Sequence, residues 1–66
     1  MKNKIKVLRA MNDLTQADLA EKIGVSRQSI NAIEKGKFIP STVLALKIAC
    51  LFKTKVEEVF SLEKED

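Results

Sequence analysis

The side chains best suited to act on another molecule are basic and amide groups that share one face of a predicted helix. Such groups bind anions and donate hydrogen bonds, but they do not break covalent bonds by themselves. The chain has no histidine and a single cysteine, so it cannot assemble a Ser-His-Asp triad or a usual zinc ligand set. We therefore expect a binding protein with no cofactor, no metal and no enzymatic activity. The outward-facing residues of this helix are Arg27, Gln28, Asn31 and Lys35.

The charge is unevenly distributed along the sequence. Residues 1–55 contain 11 Lys/Arg and 4 Asp/Glu, whereas residues 56–66 contain one lysine and five acidic residues. A basic body with an acidic tail suits a polyanionic partner held on one side. The alternative is an ordinary solvated surface of mixed charge.

Length and composition indicate one domain, residues 1–66, near the lower size limit for independent folding. The lone cysteine, Cys50, excludes a disulfide within the chain and points to a reducing compartment. The longest apolar run is too short to span a bilayer, and no signal peptide is visible. We expect a cytoplasmic protein, without membrane contact and without an evident small-molecule ligand.

Two short helices joined by a tight turn are predicted for residues 15–36. Thr15 caps the first helix, with Asp18 completing a variant of the capping box. Gly24 ends that helix, because a left-handed turn residue is least costly as glycine. Ser26 caps the second helix, and Ile30 points inward. This pattern fits a helix-turn-helix, which places its second helix in the DNA major groove. The predicted helices are residues 16–22 and 27–35, and Gly36 closes the second.

Three further helices are predicted to support this unit, at residues 5–12, 42–52 and 55–60. In the first, Ile5, Leu8 and Met11 recur at helical spacing. Thr54 begins a capping box for the last helix. Residues 1–4 are expected to be frayed or extended, and residues 61–66 to form an acidic tail.

The helix at residues 42–52 is apolar nearly all round, which indicates burial on more than one side. One stripe contains Leu44, Ala45, Ile48, Ala49 and Phe52. A second stripe is left over, and in so small a domain we expect it to face a partner chain. With Val56 of the last helix, the predicted dimer interface is Val43, Leu46, Cys50 and Val56.

The run T-Q-x-x-L-A-x-x-x-G-V-S-x-x-x-I-x-x-x-E-x-G resembles the Xre-type helix-turn-helix regulators, the family of the phage repressors and Cro. The resemblance extends from Ile5 through I-P-S at 39–41 to V-E-E-V-F at 56–60. It implies an all-α, compact five-helix fold like that of lambda repressor. The chain also resembles small stand-alone members such as the cytolysin-operon repressor, which are DNA-binding dimers.

The resemblance also implies roles for individual residues. Arg27 and Gln28 begin the recognition helix and read base edges, with contact to phosphate alone as the alternative for one of them. Asn31 lies one turn further on the same face. Lys35 and Lys37 flank a glycine where side chains and backbone amides of the family meet phosphate. The phosphate contacts are Gln16, Ser26, Ser29, Lys35 and Lys37, although Gln16 and Ser29 also fit as ordinary first-turn residues.

Other positions take structural roles by the same resemblance. Arg9 and Glu34 form a partly buried ion pair that ties the first helix to the end of the third. Lys53 stands where many family members have glycine, so it adopts a left-handed conformation or lengthens the turn. Small relatives pair their termini as a short β-ladder, and the sequence leaves open whether Met1–Lys4 does so.

The leading hypothesis is a sequence-specific regulator of double-stranded DNA, acting as a repressor and as a homodimer on a two-fold operator. An antitoxin or a restriction-modification controller of the same fold is an alternative. A protein-interaction adaptor is the alternative outside DNA binding. The operator, the regulated genes and any effector are not encoded in recognisable form.

Overall fold

Five short helices and one pair of two-residue strands make up the fold in the computed structural model, which describes residues 1–66. The predicted all-α helix-turn-helix architecture is confirmed, with a small antiparallel ladder added at the chain ends. No helix combines the length and apolar character that crossing a membrane requires. The helices are α1 (Ile5–Met11), α2 (Gln16–Ile23), α3 (Arg27–Glu34), α4 (Thr42–Leu51) and α5 (Val56–Val59); the strands are β1 (Lys2–Asn3) and β2 (Phe60–Ser61).

Local capping signals fix the ends of α2 and the start of α3. The Thr15 hydroxyl accepts from the Asp18 N–H, and the Asp18 carboxylate accepts from the Thr15 N–H, both at 3.0 Å. Gly24 has φ 76°, the left-handed conformation that ends α2. Two residues later Ser26 accepts the Ser29 N–H at 3.1 Å and begins α3. The turn between the helices is therefore encoded within a few consecutive residues.

One aliphatic cluster holds the helices together. Leu19 of α2 and Ile30 of α3 are fully buried, and the small Ala20 is buried in the same cluster. Truncating a buried leucine or isoleucine to alanine costs about 2–5 kcal/mol, which is a large fraction of the stability of so small a domain. The buried cluster consists of Ile5, Leu19, Ala20, Ile23, Ile30, Ile33, Ile48, Ala49, Val59 and Phe60.

The apolar stripe predicted for α1 is only partly buried. Ile5 is fully buried and Leu8 packs against the core, but Met11 is 73% exposed. The prediction for Met11 was wrong because α1 ends at this residue, beyond the part of the helix that packs against the cluster. Asp13 then takes a left-handed φ of 55°, which turns the chain towards α2.

The ends of the chain pair as an antiparallel ladder, which the sequence had left open. Lys2 lies opposite Ser61 and Asn3 opposite Phe60, and the Lys4 N–H donates to Val59 at 2.9 Å. The segment predicted as frayed or extended is thus a strand, and the acidic tail is shorter because its first residue belongs to β2. The Met1 ammonium lies 3.1 Å from an Asp66 carboxylate oxygen.

The last helix is shorter than predicted, and its capping box does not form. The α5 helix begins at Val56, and no side chain caps it. The Thr54 N–H instead closes the preceding turn on the Ala49 carbonyl at 3.0 Å. Lys53 has φ 56°, so the left-handed alternative implied by the resemblance is the one that occurs. The helix stops early because Phe60 is already extended in β2.

Candidate nucleic-acid interface

A shallow depression of about 230 Å³ lies where the start of α2 meets the outer face of α3. Its lining contains no apolar residue. The first turn of α2 contributes one amide, and α3 contributes a guanidinium and two further amides. These groups offer both donors and acceptors, which is what hydrogen bonding to base edges requires. The lining residues are Gln16, Arg27, Gln28 and Asn31.

The predicted base readers are placed differently. Arg27 and Gln28 are exposed at the N-terminal end of α3, and no protein group fixes their side chains. Asn31 is half-buried, and its Oδ1 accepts from Gln16 Nε2 at 3.2 Å. The structure therefore brings Asn31 together with Gln16 and leaves the other two free to adapt to a partner.

Gln16 is connected to the protein interior. Its Nε2 also donates to Glu34 Oε1 at 3.2 Å, so both amide hydrogens have protein acceptors. A phosphate contact through this amide would have to replace one of these two hydrogen bonds. The backbone N–H of Gln16, in the first turn of α2, has no partner within the helix and can still bind an anion.

The serines at the start of α3 form a small hydroxyl pair. Ser26 Oγ and Ser29 Oγ are 2.9 Å apart, and either can be the donor. One hydroxyl hydrogen thus joins the two oxygens, and the other stays available to an external acceptor such as phosphate.

The Arg9–Glu34 contact is bidentate. Arg9 Nε lies 2.6 Å from Glu34 Oε2, and Nη2 lies 3.1 Å from Oε1. A third guanidinium hydrogen goes to the Leu14 carbonyl at 3.0 Å. The Arg9 and Glu34 side chains are only 14% and 8% exposed. The hydrogen bond to Glu34 raises the pKa of Arg9 above its ordinary value, despite its partial burial.

The turn after α3 presents two free lysines, Lys35 and Lys37, around Gly36. Both side chains are exposed, and Gly36 has φ 73°, where a side chain would be strained. The backbone amides of Gly36 and Lys37 donate to the Ile33 and Ala32 carbonyls, at 3.0 and 2.9 Å. Both amides therefore already have acceptors in the cap of α3, and their contact with phosphate stays a prediction. The lysine side chains are free for that contact.

One residue that anchors the interface was missed in the sequence. Asn3 Nδ2 donates to the Ile33 carbonyl at 2.8 Å, and its Oδ1 accepts the Ile5 N–H at 3.2 Å. A single amide thereby joins β1, the first turn of α1 and the last turn of α3. An Asn two positions before a helix was a visible capping signal, but its second partner lies 30 residues away.

The predicted dimer residues divide between two places. Leu46 and Val56 line one apolar groove of about 250 Å³, together with Ile39. Val43 is 63% exposed, whereas Val56 packs partly against the core. Cys50 lies in a different cleft beside the end of α2. The remaining lining residues of the groove are Met1, Pro40, Thr42, Ala45 and Phe60.

A capped helix, a left-handed glycine turn and a second helix with an exposed polar face define a helix-turn-helix domain. The helix-turn-helix family model HTH_3 matches residues 5–59, and the chain belongs to this family of Xre-like, DNA-binding transcription regulators. The family resemblance predicted from the sequence is thereby confirmed.

Relatives over the full length carry the same assignment. The chain is 58% identical to an uncharacterized HTH-type transcriptional regulator of Methanocaldococcus jannaschii, over 100% of both chains. It is 53% identical to the uncharacterized HTH-type transcriptional regulator YgzD of Bacillus subtilis, again over 100% of both. Among solved structures, the restriction-modification controller protein C.AhdI of Aeromonas hydrophila superposes with a TM-score of 0.78 at 30% identity, covering 86% of each chain.

Proposed function

We propose that this chain is a sequence-specific repressor that binds double-stranded DNA as a homodimer on a two-fold operator. The observation that carries the proposal is the all-polar depression between α2 and α3, lined by Gln16, Arg27, Gln28 and Asn31. It lies on the helix-turn-helix unit that the family uses against the major groove.

Base contacts fall to the exposed side chains of α3 in this proposal. Arg27 can donate two hydrogen bonds to guanine O6 and N7, and Gln28 can pair with adenine N6 and N7. Asn31 contacts a base edge one helical turn further along. These contacts supply the sequence preference.

Phosphate contacts surround the base readers. The Lys35 and Lys37 side chains approach the backbone as point charges after α3. The free hydroxyl hydrogen of the Ser26–Ser29 pair and the backbone N–H of Gln16 supply neutral donors at the starts of α3 and α2. The two sets of contacts together fix the position of α3 in the groove.

A second copy of the chain is the proposed occupant of the apolar groove beside α4. The chain exposes 4769 Å², whereas a monomer of this mass is expected to expose about 4,200 Å². Ile39 and Leu46 line this groove and are 65% and 56% exposed, and Val43, also on α4, is 63% exposed. A two-fold dimer would double the number of base pairs read and space the two α3 helices by about 34 Å.

Repression follows from occupancy, because a dimer on an operator that overlaps a promoter blocks access of the polymerase. Such a regulator works in the cytoplasm, in contact with the nucleoid. The restriction-modification controller is the second candidate function, supported by the structural likeness to C.AhdI. Three statements stay predictions from the sequence. They are the resemblance to the cytolysin-operon repressor, the alternative function as an antitoxin and the alternative function as a protein-interaction adaptor.

Footprinting on the DNA upstream of its own gene tests the proposal. We expect protection of a two-fold sequence that overlaps promoter elements, with two half-sites about one helical turn apart. Transcription in vitro from that promoter should fall as the protein is added. A chain that binds no duplex DNA at any salt concentration would refute the proposal, and a chain that raises transcription would refute repression. Restriction and methylase genes beside it would favour the controller function.

A further inference from the structure

Four side chains form a continuous hydrogen-bonded series from the protein interior to the proposed DNA surface. Arg9 binds Glu34, Glu34 accepts from Gln16, and Gln16 donates to Asn31. We call this series the polar chain. It begins at a nearly buried ion pair and ends at Asn31, in the depression between α2 and α3.

The direction of every hydrogen bond in the polar chain follows from its charged end. The Glu34 carboxylate paired with Arg9 can only accept, so the Gln16 amide must turn its NH2 group towards it. That NH2 group has one further hydrogen, which goes to Asn31. The atom of Asn31 facing Gln16 must therefore be its oxygen, and the free end of the Asn31 amide is its nitrogen.

We infer that Gln16 and Glu34 hold Asn31 so that it offers hydrogen-bond donors to a base and selects guanine. The inference rests on the proposed function, in which Asn31 reads a base edge. Guanine presents two acceptors in the major groove, O6 and N7, whereas adenine and thymine present one acceptor each beside a donor or a methyl group, and cytosine presents a donor at N4. The contrast is therefore greatest between guanine and cytosine. A fixed NH2 group pairs best with guanine and is rejected by cytosine. An asparagine free to rotate would accept either base.

Gln16 and Glu34 are thus positioning residues that set specificity without touching a base. This assigns Gln16 a role different from the phosphate contact predicted from the sequence. It also gives the Arg9–Glu34 pair a second consequence, because the carboxylate that stabilises the fold also fixes the direction of the polar chain.

The test compares base preferences of variants by selecting bound sequences from a random duplex pool. Asn31→Ala first identifies the base pair that Asn31 reads, as the position whose preference disappears. At this position the parent should prefer guanine over cytosine by about tenfold, within the range of one good base contact. Gln16→Met keeps the side-chain length but removes the donor, and the preference should fall to about twofold or less.

Gln16→Lys is the matched control, because its ammonium can still donate to both Glu34 and Asn31. It should keep the parental preference for guanine, even if its charge strengthens binding to all sequences. Asn31→Asp replaces the outer donor by an acceptor and should shift the preference towards cytosine. Gln28→Ala should change the preference at a different base pair only. Circular dichroism confirms the fold of each variant.

Loss of the preference in Gln16→Met with retention in Gln16→Lys would support the inference. A parental preference for adenine or cytosine at this position, or an unchanged preference in Gln16→Met, would overturn it while leaving DNA binding intact. An Asn31→Ala variant with parental preferences throughout would overturn it as well. If Gln16→Met does not fold, the parental preference decides, because an asparagine free to rotate would not distinguish guanine from cytosine. A parent that binds no duplex at all refutes the proposed function itself.

Discussion

The guanidinium of Arg9 and the carboxylate of Glu34 join the first helix to the end of the third through two hydrogen bonds of 2.6 and 3.1 Å. The pair lies beneath the surface that we propose to meet DNA. Because both side chains are largely shielded from water, neither can lose its partner without leaving a charge poorly solvated.

Arg9→Met should therefore destabilise the domain by about 3 kcal/mol, at the lower end of the range for a buried pair, because some exposure remains. Urea unfolding measures this loss, which corresponds to a melting temperature lower by more than about 10 °C. The double variant Arg9→Met/Glu34→Leu should recover part of the loss, since no charge is stranded, but the Leu14 carbonyl and the Gln16 amide lose partners. Lys6→Met, on an exposed position of α1, is the control and should stay within about 0.5 kcal/mol of the parent. An unchanged melting temperature for Arg9→Met would contradict the prediction.

Asn3→Ala should cost about 1–2 kcal/mol, because it removes both the acceptor for the Ile5 N–H and the donor to the Ile33 carbonyl. Asn3→Asp keeps the acceptor for the Ile5 N–H but places a carboxylate oxygen against the Ile33 carbonyl, so it should be no more stable than Asn3→Ala. Equilibrium unfolding of the three proteins gives the order. Lys2→Ala, on the neighbouring exposed strand residue, should have little effect. The anchor would be of no consequence if all four proteins unfolded at the same denaturant concentration.

Acidification should weaken the start of α2 through Asp18. The Thr15 backbone N–H and, next, its side chain hold the pKa of Asp18 below its ordinary value of 3.8. A carboxyl with a lowered folded pKa stabilises the fold above its unfolded pKa, and this contribution disappears as the pH falls through the lower folded value. Below about pH 4 the parent should lose stability, and Asp18→Asn should lose less, because it has no carboxyl group to protonate at this position.

The effect of Asp18→Asn should be measured in two proteins, the parent and a variant that already carries Asp66→Asn. The Glu63 backbone N–H and the Met1 ammonium also lower the pKa of Asp66, so this residue contributes in the same pH range. Unfolding followed from pH 6 to pH 2 in both backgrounds separates the two carboxyls. If stability falls with pH by the same amount in Asp18→Asn and in the same protein with Asp18 intact, the capping box does not titrate as described.

Salt should weaken DNA binding strongly. If the dimer uses Lys35 and Lys37 of both protomers, which are four basic phosphate contacts, the logarithm of its affinity should fall with the logarithm of salt concentration with a slope of about −4. Lys35→Ala or Lys37→Ala removes two contacts per dimer, so the slope should become less steep by about 2 while base preferences stay unchanged. Arg27→Ala should instead relax the preference at one base pair and lose about 1–3 kcal/mol at the correct site. An affinity independent of salt would argue against DNA as the partner.

Dimerisation should depend on Leu46 and not on Cys50. Leu46→Asp places a charge in the apolar groove beside α4, whereas Cys50→Asp places one in the separate cleft near the end of α2. Sedimentation should give a dimer for the parent and for Cys50→Asp, and a folded monomer with much weaker operator affinity for Leu46→Asp. A parent that sediments as a monomer at tens of micromolar, both free and on DNA, would exclude this model.

The parts of the fold that follow from the sequence are those encoded by neighbouring residues. The signals that mark the ends of α2 and the start of α3 each act within one helical turn, so the bounds of the helix-turn-helix could be predicted closely. These signals are Thr15 with Asp18, Gly24 and Ser26. The same short-range rule failed for Thr54, because its N–H closes the turn after α4 on the Ala49 carbonyl and α5 begins only at Val56. It failed for Met11 because periodicity does not tell where a helix leaves the core.

The connections within the site could be predicted only in part. Resemblance paired Arg9 with Glu34, but it did not indicate that Gln16 connects this pair to Asn31. It also did not indicate that Asn3 holds the end of α3. These contacts depend on how α1, α2 and α3 are placed relative to one another in space. The presence of amide and carboxyl side chains in the sequence does not specify this placement.

The ladder between β1 and β2 has a consequence for truncation of the protein. Asn3 is held in register by Phe60, which lies far beyond the helix-turn-helix in the sequence. A truncated chain that stops before Phe60 would contain every proposed DNA-reading residue and still lack the strand that keeps Asn3 against the end of α3. Loss of β2 alone would then weaken operator binding without removing any residue proposed to contact DNA.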